Sequence, residues 1–176
     1  MTRPLIFDAT PLIYTIRVSL SEALRKTVDP KYVPQGVYDE LLKGELLGRP
    51  EATKIRELVE EGQLAVMKPA DSSFVRRLIR IAAEGERKPL HSAEAEALAL
   101  AKELRGIVIS DDHVARSTAK LVRVELHGTG YLIGRMCREG HVSKEEAMAK
   151  VREMRGEGWR LSEDDYRNIL DYLATM

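Results

Sequence analysis

An α/β fold with a mainly parallel sheet and helices on both of its faces is what this chain's pattern predicts, and three observations predict it. Short apolar runs of strand length alternate with segments of helical spacing from one end to the other. No internal repeat and no low-complexity stretch interrupts that alternation. At 176 residues, the chain suits one domain with a small appendage and is long enough to bury a real core.

Taken in order, residues 5–8 read as a short buried strand, and Pro11 opens a helical stretch through about Lys26. A second strand covers 32–34. Val37, Leu41, Leu42 and Leu46 recur at helical spacing and give a helix that stops near Gly48, with Gly44 weakening its second half. Another helix follows Pro50, with Ile55, Leu58 and Val59 on its apolar stripe, and 63–67 reads as an edge strand. Ser72 or Ser73 caps a helix that turns Phe74, Leu78 and Ile81 inward and Arg76, Arg77 and Arg80 outward. Pro89 breaks the chain before an alanine-rich helix over 92–104, Gly106 ends that helix, and 107–110 is the clearest strand. A helix over 114–121 leads to a strand over 122–126. The turn His127-Gly128-Thr129-Gly130 follows, then a helix to about Arg138, ended by Gly140. Ser143 with Glu146 fits a capping box, and Ala147, Val151 and Met154 share one face of its helix. Ser162 caps a last helix with Tyr166, Ile169, Leu170 and Leu173 inward, and Trp159 anchors this closing hairpin. The division is thus a main domain over 1–140 and a helical extension over 141–176 packed on it.

Composition narrows the function classes. Lys+Arg and Asp+Glu both number 28, so there is no global charge to attract nucleic acid, although local patches remain open. No run approaches the roughly 18 apolar residues of a membrane span, and no signal-peptide pattern opens the chain. One cysteine, Cys137, excludes an intrachain disulfide, fits a small core position and points to a reducing cytoplasm. One Asn and two Gln beside abundant Glu, Lys and Arg lean toward a thermophilic balance.

The chemistry lies in four acidic segments: Phe7-Asp8-Ala9-Thr10, Val37-Tyr38-Asp39-Glu40-Leu41, Glu94-Ala95-Glu96-Ala97-Leu98, and Ile109-Ser110-Asp111-Asp112. Each sets a carboxylate at the end of an apolar strand or among the apolar residues of a helix, where desolvation is costly unless compensated. Asp8 and Asp111-Asp112 directly follow strands, and sites in open α/β sheets lie beyond the carboxyl ends of strands. A lone Asp at a strand end is more often an ordinary helix cap or turn residue. Two in one short chain shift the balance toward a site. Glu40 borders an apolar helix face, and Glu94 lies on the side of Leu98 and Ala101. Asp39 and Glu96 are offset by one or two residues and point elsewhere. Converging carboxylates repel, and a shared hard cation with oxygen ligands, Mg²⁺ or Mn²⁺, relieves them.

In this order and spacing the segments resemble the PIN-domain family of metal-dependent ribonucleases. The resemblance rests on Asp8 with Thr10 two residues on, Glu40 early in its helix, Glu94 at the start of an Ala/Leu-rich helix, and the fourth acid in a Ser-x-Asp context. That register selects Asp112, with Asp111 beside it as support. The third acid is commonly Asp in the family, so Glu94 is one methylene longer. His127-Gly128-Thr129-Gly130-Tyr131-Leu132 resembles the turn and helix after the last strand of such domains. Gly158-Trp159-Arg160-Leu161-Ser162 is similar to the tail of a prokaryotic, VapC-like branch.

The resemblance implies a three-layer α/β/α sandwich with a C-terminal helical hairpin. It implies hydrolysis of RNA phosphodiester bonds, with Asp8 and Asp112 as main metal ligands, Glu40 and Glu94 completing the site, and Thr10 orienting Asp8 or a water. It further implies the toxin of a type II toxin–antitoxin pair, a VapB-like antitoxin whose tail enters the acidic crevice, and a homodimer. The rivals are a PIN ribonuclease of RNA processing without an antitoxin and a catalytically weakened fold kept as a binding module. Arg116, one turn past Asp112, and Arg76, Arg77 and Arg80 are the candidates for RNA phosphates.

Overall fold

The computed structural model describes residues 2–85 and 88–176. Five strands form one all-parallel sheet: β1 (Leu5–Phe7), β2 (Lys31–Pro34), β3 (Ala65–Met67), β4 (Ile107–Ile109) and β5 (Glu125–His127), in the order β3-β2-β1-β4-β5. β1 is central and fully buried, and β4 beside it is buried throughout. The order reverses at β1, so the chain leaves β1 toward one edge and returns through β4 toward the other. That leaves a crevice at the carboxyl ends of β1 and β4.

Alternation along the strands splits the core in two. Leu5, Phe7, Val33, Ile107 and Ile109 point to one face, and Ile6 and Val108 to the other. The first face carries residues of α1 (Ala9–Arg17), α2 (Ser21–Lys26), α3 (Gln35–Leu46), α4 (Pro50–Glu60), α8 (Thr129–Arg138) and α9 (Lys144–Gly156). The second carries α5 (Ser72–Gly85), α6 (Ser92–Leu104) and α7 (His113–Val122). The five consecutive core residues 97–101, with Ala93 and Ala95, make α6 the most deeply buried helix, which its small alanines permit.

The closing hairpin of α9 and α10 (Glu163–Ala174) shares the first core: Ala147, Val151, Met154, Trp159 and Leu173 are buried in the cluster that holds Phe7 and Ile109. Of the expected inward residues of α10, Leu173 is fully buried, and Tyr166, Ile169 and Leu170 pack partly against the core. No described helix is long and apolar enough to cross a membrane.

Four details differ from the sequence reading. The helix expected from Pro11 to Lys26 is two helices. It begins at Ala9, because the Asp8 side chain caps it, and Pro11 sits in the first turn where its missing N–H costs nothing. It stops where Ser19 adopts φ 62°, with Ser19 N–H on Ile16 and Leu20 N–H on Thr15 closing the end. The strand expected over 122–126 is shifted to Glu125–His127 for the same reason: Arg123 at φ 56° closes α7 after Val122, with Val124 N–H returning to Ala119. Asp71, not Ser72 or Ser73, caps α5, accepting from Phe74 N–H at 2.9 Å and from the Ser73 hydroxyl at 2.5 Å. Ser143 does cap α9, accepting from Glu146 N–H at 3.1 Å.

Candidate active site

Asp8 ends β1 and is held from two sides. One carboxyl oxygen accepts from Ala9 N–H at 2.7 Å, and the other accepts from the Ser110 hydroxyl at 2.8 Å. Ser110 follows β4, is 1% exposed, and its hydroxyl oxygen also accepts from Asp112 N–H at 3.2 Å. One hydroxyl therefore links the acids that end two neighbouring strands. Asp112 in turn caps α7, with its side chain accepting from Ala115 N–H at 2.7 Å.

Glu94 reaches the same crevice from the first turn of α6. Its carboxylate accepts from His91 N–H at 2.9 Å, closing a capping box in which His91 replaces the usual Ser or Thr. Burial pushes the Glu94 carboxyl up to about 7, against the His91 N–H bond, and the charges of Asp112 and Asp8 push the same way. Asp8 is likewise raised, first by burial, with its bonds to Ser110 and Ala9 opposing and the charges of Asp112 and Asp111 adding. Acids 86 and 104 positions apart in sequence are thus brought close enough for the charges of Asp8 and Asp112 to bear on Glu94, and that of Asp112 on Asp8.

Glu40 occupies the rim. It is exposed on α3 and lines a cavity of about 150 Å³ with Ala9 and Ile13, next to Asp8 on α1. It is not among the charges that act most on Asp8 or Glu94. Thr10 lies in the first turn of α1, half-exposed, and forms no hydrogen bond with Asp8 among the described residues; Ser110 holds Asp8 in its place.

Asp111 has a different job from its neighbour. One oxygen accepts from Thr129 N–H at 2.8 Å; the other accepts from the Thr129 hydroxyl at 2.6 Å and from Trp159 Nε1 at 2.9 Å. It is a strut that ties the β4–α7 turn to the start of α8 and to the closing hairpin, and so supports Asp112 from behind.

The two offset acids separate further. Asp39 is exposed and accepts from Gln35 Nε2 at 2.7 Å, within its own helix. Glu96 accepts from Gly36 N–H at 2.8 Å, so it caps the start of α3 from α6. A Cβ at Gly36 would stand 3.0 Å from both Glu96 oxygens, and glycine leaves room for this approach. Ser110, Glu96 and Trp159 are the supporting residues that sequence reading did not assign to the site. The Ser-x-Asp spacing was the one available signal for Ser110, and nothing local marks Glu96.

Arg116 is exposed in the first turn of α7 and lines a cavity with Asp111. Arg76, Arg77 and Arg80 are exposed on the outer face of α5, with Arg77 lying 5.5 Å over the Phe74 ring. They lie on a helix that packs against α6 and α7, and none of them is among the charges that act most on Asp8 or Glu94.

The donor set is all oxygen and partly desolvated. Among the described residues no three Asp, Glu, His or Cys side chains close into a ready-made cage. An open set of two or three carboxylates matches Mg²⁺ or Mn²⁺, which bind through few protein ligands and keep several waters. It does not match a closed site of the zinc kind.

Comparison with known proteins gives a consistent assignment. The DUF3368 family model, described as a PIN domain, matches residues 4–175. None of the curated proteins compared with the chain matches it. Among solved structures, that of PAE2754 from Pyrobaculum aerophilum is similar at 14% identity and a TM-score of 0.56, covering 78% of this chain and 99% of that one. VapBC-1 from nontypeable Haemophilus influenzae is similar at 15% identity and a TM-score of 0.54, covering 72% of this chain and 98% of that one. At these identities the two structures speak for the fold.

Proposed function

Because this chain belongs to the PIN-domain family, a family of nucleases, we propose that it is a divalent-metal-dependent endoribonuclease that hydrolyses RNA phosphodiester bonds. The observation that carries the reading is the buried Ser110 hydroxyl, which joins Asp8 and Asp112 at the carboxyl ends of β1 and β4, close to the half-buried Glu94 carboxylate, where a cation would offset the clustered negative charge. Asp8 and Asp112 are the main metal-binding acids in this proposal, with Glu94 and, from the rim, Glu40 completing the site directly or through water. A divalent cation held there would supply Lewis-acid activation of water and charge stabilisation at the phosphate.

The chain's own residues supply position and proton control. Ser110 and Ala9 N–H fix both oxygens of Asp8, so the carboxylate is pre-oriented. Ala115 N–H does the same for one oxygen of Asp112. Glu94, with its carboxyl near 7, can hold or release a proton near neutral pH, which suits a general acid–base group.

The VapC-like tail and the similarity to VapBC-1 favour the toxin of a toxin–antitoxin pair; the same proposal includes a VapB-like antitoxin covering the acidic crevice and a PIN homodimer. The test is cleavage of single-stranded RNA by the purified chain with Mn²⁺, Mg²⁺ or EDTA, after any co-purifying partner has been stripped by unfolding and refolding. Cleavage with either metal and none in EDTA is expected. No cleavage with any divalent metal would leave the fold as a binding module.

A further inference from the structure

Beside the acids, and distinct from them, lies a cavity of about 500 Å³ between the start of α7, the start of α8 and the outer helix α10. Its volume falls in the range of small-molecule sites. It shares Asp111 with the support of the acid cluster, but Asp8, Glu94 and Asp112 do not line it. Four of its walls are apolar or aromatic: Tyr131, Leu161, Ile169 and Tyr172. Tyr131 is held rigid by stacking on His127, with ring centroids 4.0 Å apart and planes 11° apart.

Two polar groups face this space with capacity to spare. Arg116 forms no ion pair among the described residues, and the Asn168 carboxamide forms no hydrogen bond among them; both are exposed. The two acids that also line the cavity are already engaged. Asp111 spends both oxygens on Thr129 and Trp159, and Asp165 accepts from the Ser162 hydroxyl at 2.7 Å. The floor is close backbone: a Cβ at Gly130 would stand 2.6 Å from Ile169, so only glycine lets α10 approach α8 here.

We propose that this cavity is a nucleotide subsite, which receives one nucleotide of the RNA strand next to the phosphate held at the acids. Arg116 meets a phosphate oxygen, the base lies against the aromatic and aliphatic walls, and Asn168 reads its edge with one donor and one acceptor. Stacking on fixed aromatic rings with a cation at the backbone is how single-stranded nucleic acid is gripped. The inference deepens the nuclease reading and rests on it for the direction of the strand. Because α10 builds one wall, the closing hairpin becomes part of substrate selection as well as part of the core.

The test is binding, not cleavage. The full chain in EDTA is titrated with the four nucleoside 5′-monophosphates, the matching nucleosides and inorganic phosphate. Trp159 is the chain's single tryptophan and bonds to Asp111 at the cavity wall, so its red-edge fluorescence reports occupancy, with the melting temperature as a second readout. Nucleotides should bind more tightly than phosphate or nucleosides. Arg116→Ala should weaken nucleotide binding about tenfold and leave nucleosides unaffected. Asn168→Ala should narrow the differences among the four bases. Circular dichroism confirms that each variant is folded. Three results would overturn the subsite: no response to millimolar nucleotide in either readout, unchanged nucleotide binding in both variants, or inorganic phosphate binding as well as nucleotides. Tighter binding of N-acetyl-phenylalaninamide than of any nucleotide would also overturn it, marking a pocket for a protein partner's side chain. Cleavage without nucleotide binding would sink the subsite alone, and nucleotide binding without cleavage would sink the nuclease alone.

Discussion

Ser110 joins two acids through one hydroxyl, donating to Asp8 and accepting from Asp112 N–H in a position that is 1% exposed. Ser110→Ala should therefore leave the fold intact at a cost of about 1–2 kcal/mol in urea unfolding. Cleavage should fall about 10–100-fold, the usual effect of losing a group that orients metal-binding acids. A variant that cleaves at the parent rate would show that Asp8 needs no such support. Glu94 gives the pH signature. Its folded pKa of about 7 exceeds its ordinary value of 4.5, so between these values the native state holds a proton that the unfolded chain has released. The stability it contributes is present below about pH 4.5 and is lost as pH rises through about 7. In EDTA, the melting temperature of the parent should fall over that window relative to Glu94→Gln, and parallel profiles would contradict the burial argument. At this scale the strand-end acids were legible because a carboxylate beside an apolar run is costly and conspicuous. Their partners were not, since Ser110 lies 102 residues from Asp8 and only the β1–β4 pairing joins them.

Among the elements, α3 depends on α6 at its first turn. Pro34 precedes α3 and offers no side-chain cap, and the Glu96 carboxylate fills that place on Gly36 N–H. Negative charge at a helix N-terminus is favourable for the macrodipole as well as for the open N–H groups. Glu96→Ala should cost about 1 kcal/mol or more, as loss of a cap does. It should also reduce cleavage by loosening the helix that carries Glu40. Glu96→Gln keeps an acceptor and should recover most of both, and equal losses in the two variants would assign the effect to charge, not to capping. All five strands were legible in order, and so were the helices, except that α1 and α2 were read as one. The errors fell where helices end on left-handed residues that are not glycine, Ser19 and Arg123, because nothing in composition marks such a turn. The helical period of 11–26 ran on past the true break, and the strand after α7 was placed too early.

At the scale of the whole molecule, the closing hairpin and the acid cluster are one mechanical unit. Trp159 is 4% exposed in the main core, and its indole N–H bonds Asp111, the residue before Asp112. Trp159→Phe keeps most of the packing and removes that bond. It should lower stability by about 1–3 kcal/mol, the cost of leaving a charged acceptor short of a donor. It should also weaken Mn²⁺-induced stabilisation, read as a smaller rise in melting temperature with metal. An unchanged response would mean that the hairpin is structurally attached but does not support the site. The sequence marked Trp159 as the hairpin's anchor. It could not reveal that the anchor point is Asp111, the strut behind Asp112, because the contact spans 48 residues.

The central claim is that Asp8, with Asp112 and Glu94, carries the chemistry, and that adjacent acids of the same type do not. It is tested most directly by comparing Asp8→Asn with Asp39→Asn on single-stranded RNA with Mn²⁺, both folded and freed of any partner. Asp8→Asn preserves shape and removes one repelling charge, so it should melt at the parent temperature or slightly above it and cleave nothing measurable. Asp39→Asn changes only an exposed intrahelical bond and should cleave as the parent does. An Asp8→Asn protein that cleaves at the parent rate, or an Asp39→Asn protein that is dead while folded, would contradict the account.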